Sequence, residues 1–165
     1  TGYTLDGCKA PNKIGVDPNC SHYKGSNKVF CCASDEFFKN WDSNKKFQLI
    51  FIDGLHEWNQ VYKDIINSLM ILKPNGVIVL HDCNPPLYEH TTTGIQGCWT
   101  GDTYKAVLKF QEEFDYKFYT HDFDWGVGVI AKDVIIKTKS NDFYKKGFEN
   151  WEFFNENRKE LLNLI

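Results

Sequence analysis

A chain of 165 residues with 42% hydrophobic and 25% charged content is long enough for one sizeable core and ordinary for a globular protein. A net charge of −3 gives no electrostatic footprint for nucleic acid, and a single arginine (Arg158) among nineteen basic residues disfavours a phosphate site built on bidentate guanidinium forks. No run of about 18 apolar residues occurs, so no membrane span is expected, and no signal peptide is visible at the start.

In chain order, Lys13 to Val16 is a short apolar strand ending in Asp17-Pro18. Asn19 to Asn27 is a polar loop, and Lys28 to Cys32 is a second strand ending in Ala33-Ser34-Asp35. Ser34 is placed to cap a helix running through Phe37 and Phe38 to Trp41. The stretch from Phe47 to Asp82, FQLIFIDGLHEWNQVYKDIINSLMILKPNGVIVLHD, says most. Leu49 to Ile52 and Val77 to Leu80 are continuously apolar and rich in β-branched residues, which suits strands buried on both faces. Between them Trp58, Val61, Ile65, Leu69 and Leu72 recur at helical spacing, with Lys73 in the last turn and Pro74-Asn75-Gly76 as the stop. A right-handed crossover joining parallel strands follows.

Each of these two strands ends in a carboxylate, Asp53 and Asp82, with His56 and His81 close by. In open parallel sheets ligands bind beyond the carboxyl ends of the strands, so an α/β enzyme is the leading expectation. Cys83 to Thr100 is a long loop with Pro85-Pro86 and His90, of the kind that forms lids and binding loops. Gly101 to Glu113 is helical in pattern. Tyr116 to Thr120 and Gly126 to Ala131 are strands joined so closely that they must pair antiparallel. From Phe143 onward, Phe148, Trp151, Phe154, Leu161 and Leu162 mark an amphipathic helix that closes either the monomer or a homodimer interface. None of the six cysteines forms a C-x-x-C pair, so no structural zinc site is expected. Free thiols in a reducing cytoplasmic setting are the default expectation.

The segments KIGVDP (13–18), ASDEFF (33–38), FIDGLHEW (51–58), LKPNGVIVLHDCNPP (72–86), WTGDTYKA (99–106) and WGVGVI (125–130) together resemble the class I S-adenosylmethionine-dependent methyltransferases, nearest the small metal-dependent sugar O-methyltransferases. The resemblance implies a Rossmann-like α/β three-layer sandwich, mostly parallel, with an antiparallel last hairpin. It implies a methyltransferase-like domain over 1–140 with the helix at 141–165 packed on it. Thr1-Gly2-Tyr3 looks like the end of the family's glycine-rich turn, so the family's first strand is expected to be missing from this chain. By the same resemblance S-adenosylmethionine is the cofactor, a small-molecule or glycan hydroxyl the acceptor, and Mg2+ or Mn2+ the metal.

The residues implied are these. Gly2 belongs to the cofactor turn, Asp17 takes the ribose hydroxyls, and Ser34 and Asp35 lie at the adenine, with Asp53 both on the cofactor side and, beside His56, among the catalytic residues. Neighbouring strands lie about 4.8 Å apart, so Asp53 and Asp82 can share a cation in an oxygen-rich site. His56, three residues after Asp53, is the general base, since imidazole titrates near neutrality. Strand alternation points His81 away from Asp82, so that it either orients the site from behind or is a buried, satisfied histidine, with the second favoured. Read from the residues themselves, Asn84, Tyr88, His90 and Trp99, in or beside the long loop, are the candidates for an acceptor pocket, since Trp and Tyr rings stack on sugar faces; the loop's threonines and glycines equally suit a mobile surface loop. Two alternatives stand beside this one: a nicotinamide-dependent dehydrogenase, against which no G-x-G-x-x-G is found, and a non-catalytic interaction module.

Overall fold

The structure is a computed structural model that describes residues 3–92, 97–135 and 139–165. It is α/β with a mixed sheet, consistent with the Rossmann-like fold expected, and divides into two compact units, Thr1–Lys45 and Lys46–Ile165. Among the described residues no helix is long and apolar enough to cross a membrane.

The first unit holds α1 (Tyr3–Gly7), β1 (Ile14–Val16), β2 (Lys28–Phe30) and α2 (Ser34–Asn40). β1 and β2 pair in parallel with Gly15 opposite Val29, and the Asp17 amide extends the ladder by donating to Phe30 O at 3.1 Å. The rings of Phe30, Phe37 and Trp41 meet with centroids 5.0–5.8 Å apart and give this small unit its core. Ser34 is the first helical residue rather than the cap. Ala33 holds the cap position with extended backbone and no side-chain cap bond is made. Cys20 and Cys31 form a disulfide, which corrects the expectation of six free thiols, while Cys8, Cys32, Cys83 and Cys98 are free. The two sulfurs lie eleven positions apart across the polar loop, and the β1–β2 pairing brings that loop back on itself.

The second unit is a four-stranded sheet in the order β3 (Phe47–Ile52), β4 (Leu72–Leu80), β6 (Val127–Ile135), β5 (Tyr116–His121). β3 and β4 are parallel and joined through α3 (Trp58–Ile71), whereas β6 runs antiparallel to both β4 and β5. The antiparallel last hairpin is therefore present, with its second strand inserted beside β4. α3 ends at Ile71, so Lys73 is not in its last turn. Leu72 is already extended, and Lys73 precedes a proline, which disfavours helix. The expected turn at Pro74-Asn75-Gly76 survives as an irregularity in β4: Phe47 pairs with Leu72 and Leu49 with Val77, with Asn75 at φ 57°.

One face of the sheet carries the core. Ile52, Ile78, Leu80, Ile130 and Phe118 pack with Val61 and Ile65 of α3, with Val107 and Phe110 of α5 (Thr103–Glu113), and with Tyr144 and Phe154 of α6 (Asn141–Glu149) and α7 (Trp151–Leu161). The other face is less covered. Leu49 and Phe51 on the edge strand β3 are 53% and 37% exposed, so burial on both faces holds for one face only. The long loop contains the short helix α4 (Tyr88–Thr92). The C-terminal segment is two helices followed by a return along β5, where the Ile165 amide donates to Thr120 O at 3.0 Å. Asn163 at φ 47° makes the turn, and the return covers an otherwise open sheet edge.

Candidate active site

Ile52 of β3 stands opposite Leu80 of β4, so the two parallel strands finish level. Asp53 follows one directly, and His81 and Asp82 follow the other. The His81 amide donates to Ile52 O at 3.1 Å, one step beyond the ladder. Asp82 then adopts φ 60°, a left-handed conformation that is costly for a non-glycine residue and persists where the surroundings enforce it. This turn ends the alternation that would have aimed His81 away. Its Nδ1 lies 3.3 Å from Asp82 Oδ2 and 3.5 Å from Asp53 Oδ1, and its Nε2 lies 3.2 Å from Asp124 Oδ2. The expectation of a buried, self-contained His81 is thus corrected.

His56 completes the group. Its Nε2 is 3.4 Å from Asp53 Oδ1, and its Nδ1 is 3.2 Å from both Asp82 Oδ2 and the Trp99 carbonyl. A carbonyl only accepts, so in the neutral ring the bond to Trp99 O keeps the proton on Nδ1 and the lone pair on Nε2, and in the charged ring Nε2–H donates to Asp53 Oδ1. The segment Trp99–Asp102 fixes this ring from three directions. The Trp99 indole stacks on the imidazole with centroids 5.3 Å apart, and its Nε1 donates to Thr92 O at 3.1 Å. The Asp102 amide donates to His56 O at 3.0 Å, while Asp102 Oδ1 accepts from the Trp58 amide at 2.7 Å and so caps α3 from a distance. Gly101 sits between them at φ 58°, where a Cβ would come 1.9 Å from His56 O.

The electrostatics follow from packing. The hydrogen bond to Asp53 raises the His56 pKa against the opposing effect of burial, with Asp82 and the Trp99 carbonyl adding to the rise. Burial alone would lower the His81 pKa, but Asp82, Asp124 and Asp53 together carry it upward. Burial raises the Asp82 carboxyl above its usual range despite both histidines. The site thus gathers carboxylates and imidazoles that shift one another's charge state at the ends of β3 and β4.

Donor atoms of Asp53, His81 and Asp82 all lie within 4.8 Å of one another. Two carboxylates and one imidazole fit a divalent cation, and the exposed Asp53 leaves a path for it to enter.

Residues 6–83 match a family model described as a methyltransferase domain. No curated protein matches the chain. The matched methyltransferase segment takes in Asp17, Ser34, Asp35, Asp53, His56, His81 and Asp82, and it supports an enzyme of methyl transfer, for which S-adenosylmethionine is the usual donor.

The structure brings together Asp53, His56, His81, Asp82 and Trp99 of the residues singled out in the sequence. Asp17, Ser34 and Asp35 lie in the first unit, where Asp17 Oδ1 accepts from the Asn19 amide at 2.7 Å and Asp35 falls in the first turn of α2. Gly2 lies outside the described residues. The four loop residues are not gathered into one pocket. Asn84 is 9% exposed and its Nδ2 donates to Asp122 Oδ1 at 2.8 Å. Tyr88 is exposed and faces Trp151 with ring centroids 5.5 Å apart. His90 is buried against Trp125, with no hydrogen-bond partner on its Nδ1 among the described residues. Trp99 lies on His56. Sequence reasoning missed Gly101 as a contact of His56, and Asp124 as the partner of His81. The sequence signal for Asp124 was faint: an acid in a polar hairpin turn.

Proposed function

We propose that this chain transfers a methyl group from S-adenosylmethionine to a hydroxyl of a sugar or polysaccharide precursor. The observation that carries the reading is the convergence of His56 on Asp53 and Asp82 at the strand ends inside the matched methyltransferase segment. When bound, the donor offers a cationic, intrinsically reactive methyl group, and a divalent cation lowers the pKa of a hydroxyl beside it. What remains for the protein is orientation and removal of a proton. His56 Nε2 takes that proton, Trp99 O and Asp82 hold the opposite nitrogen, and Asp53 faces the imidazolium that forms. Asp53, Asp82 and His81 hold the cation. The imidazole in the set favours Mn2+ over Mg2+, since nitrogen donors suit transition ions and carboxylates suit both. In the first unit Asp17 takes the ribose hydroxyls, with Ser34 and Asp35 on the adenine.

The test is formation of S-adenosylhomocysteine from S-adenosylmethionine and neutral glycosides, with Mn2+ or Mg2+ and after chelation. Turnover should require the cation. His56→Ala should lower kcat about 100-fold or more, the scale of general base catalysis, with S-adenosylhomocysteine affinity unchanged by calorimetry. Failure to bind S-adenosylhomocysteine would sink the reading, and unchanged turnover in the alanine variant would remove His56 as the base.

A further inference from the structure

The turn between β5 and β6 is built at some cost. Asp124, Trp125 and Gly126 stand in succession at φ 48°, 62° and 87°. Left-handed backbone at non-glycine residues persists only where neighbours determine it, and such strain gathers at functional sites. Here the neighbours are visible. The Cys83 amide donates to Gly126 O at 2.9 Å and the Asn84 amide to Trp125 O at 2.7 Å, so the turn is laced to the segment that leaves Asp82. A Cβ on Gly126 would come 2.5 Å from the Asn84 amide nitrogen, so only glycine fits there.

Between the laced segments lies a pocket of about 350 Å3, lined by Asn84, Asp122, Phe123, Asp124, Trp125 and Arg158 among others. Its polar frame is already assembled. Arg158 Nη1 donates to Asn84 Oδ1 at 2.9 Å and to Pro85 O at 2.8 Å, and its Nη2 donates to Asn155 Oδ1. Asn84 Nδ2 passes the chain on to Asp122 Oδ1. Phe123 is 59% exposed, an apolar ring face open to solvent beside this polar frame. On the same lining the exposed Asp124 meets His81 Nε2 through its Oδ2, which ties the pocket to the Asp53–Asp82–His56 centre.

The lining selects its occupant. An anion would face two carboxylates against one guanidinium. A purely apolar group would strip water from all three charges without replacing their hydrogen bonds. A ring of neutral hydroxyls fits: its hydroxyls donate to the aspartates and accept from the arginine, and its C–H face covers an aromatic ring. We infer that this pocket seats the ring of a neutral sugar, with Asp122 and Arg158 on its hydroxyls and Phe123 against its apolar face. The inference rests on the hydroxyl-methylation reading and names the acceptor side of the same site.

Saturation-transfer NMR on the full chain tests it, using the methyl glycosides of glucose, galactose, mannose and rhamnose, with sodium glucuronate as the charged comparison. At least one neutral glycoside should receive saturation on its ring protons, and more strongly than glucuronate. Phe123→Ala and Asp122→Asn, an exposed truncation and an isosteric change, should each weaken that glycoside's binding about tenfold. No transfer to any glycoside, preferential binding of glucuronate, or binding indifferent to both substitutions would overturn the pocket. Methyl transfer measured in parallel separates the two claims. Methylation of a glycoside with KM unmoved by either substitution removes the pocket and keeps the reaction. Glycoside binding that depends on both residues, without any S-adenosylhomocysteine formed, keeps the pocket and removes the reaction.

Discussion

His56 shows how far one residue's chemistry depends on backbone it does not belong to. Its identity as a candidate base was legible because FIDGLHEW sets it three residues past a strand-end acid. The support for it was not legible, because Trp99, Gly101 and Asp102 are more than forty positions away. What Asp102 does is cap α3, whose own cap residue, Glu57, makes no side-chain cap bond. Asp102→Ala should therefore cost about 1 kcal/mol of stability, the usual worth of a lost cap, read from denaturant unfolding. Gly101→Ala should do more to activity than to stability. Left-handed alanine costs about 1–2 kcal/mol, but its Cβ also occupies the place of the His56 carbonyl, and a reacting group displaced by about 1 Å can lose on the order of 100-fold in rate. A Gly101→Ala protein with a normal kcat would show that the clamp does not set the base. His81 teaches the same lesson from the other side: alternation assigned its direction correctly only as far as the strand ran, and Asp82 ends the strand with a left-handed turn.

At the scale of elements, hydrophobic pattern named the strands and helices well, because buried faces impose a period. It could not say which side of a strand would be covered, since an apolar run looks alike whether one or both faces are packed. β3 and β4 make the difference measurable. Ile78 is fully buried in the shared core, whereas Leu49 is 53% exposed on the opposite face. Ile78→Ala should cost about 2–5 kcal/mol through lost burial and a cavity, and Leu49→Thr within about 0.5 kcal/mol, both by chemical denaturation. Equal losses would mean that both faces are packed. A second contact links α3 to α5: the Tyr62 hydroxyl donates to the Glu113 carboxylate. Burial pushes the Tyr62 phenol up to about 12, so it stays a donor across the accessible range. That donor, then Lys109, lowers the Glu113 pKa below its ordinary 4.5. A depressed carboxylate stabilises above its unfolded pKa and loses the contribution as pH falls through its folded value. Tyr62→Phe should thus cost about 0.5 kcal/mol at neutral pH, near the low end for a hydrogen bond and discounted for exposure. The gap to the parent protein should close as pH drops below the ordinary Glu range, and a gap that persists there would assign the loss to packing.

For the molecule as a whole, two compact units answer to different forces. The second carries a large apolar core. The first has a three-stepped parallel pairing, a cluster of rings and the Cys20–Cys31 disulfide. The sequence offered no sign of that pairing, because cysteine spacing without a C-x-x-C pattern does not reveal connectivity and only the approach of β2 to β1 brings the two sulfurs together. A crosslink spanning eleven positions removes the freedom of a short loop from the unfolded chain, worth about 2–3 kcal/mol. For a unit with so few buried side chains that is a large share of its stability. Reduction should therefore act locally. By hydrogen exchange with mass spectrometry, adding reductant should speed exchange over β1 and β2, including the Asp17 amide bound to Phe30 O, and leave β4 and β6 protected as before. Cys20→Ser should reproduce the effect without reductant. Because Asp17 begins the polar loop that the disulfide closes, the ribose role proposed for it adds a functional consequence: S-adenosylhomocysteine affinity should fall under the same conditions. Unchanged exchange in the first unit would show that its rings and strands suffice without the crosslink. Faster exchange with unaltered cofactor affinity would take the ribose away from Asp17 while leaving the disulfide its structural part.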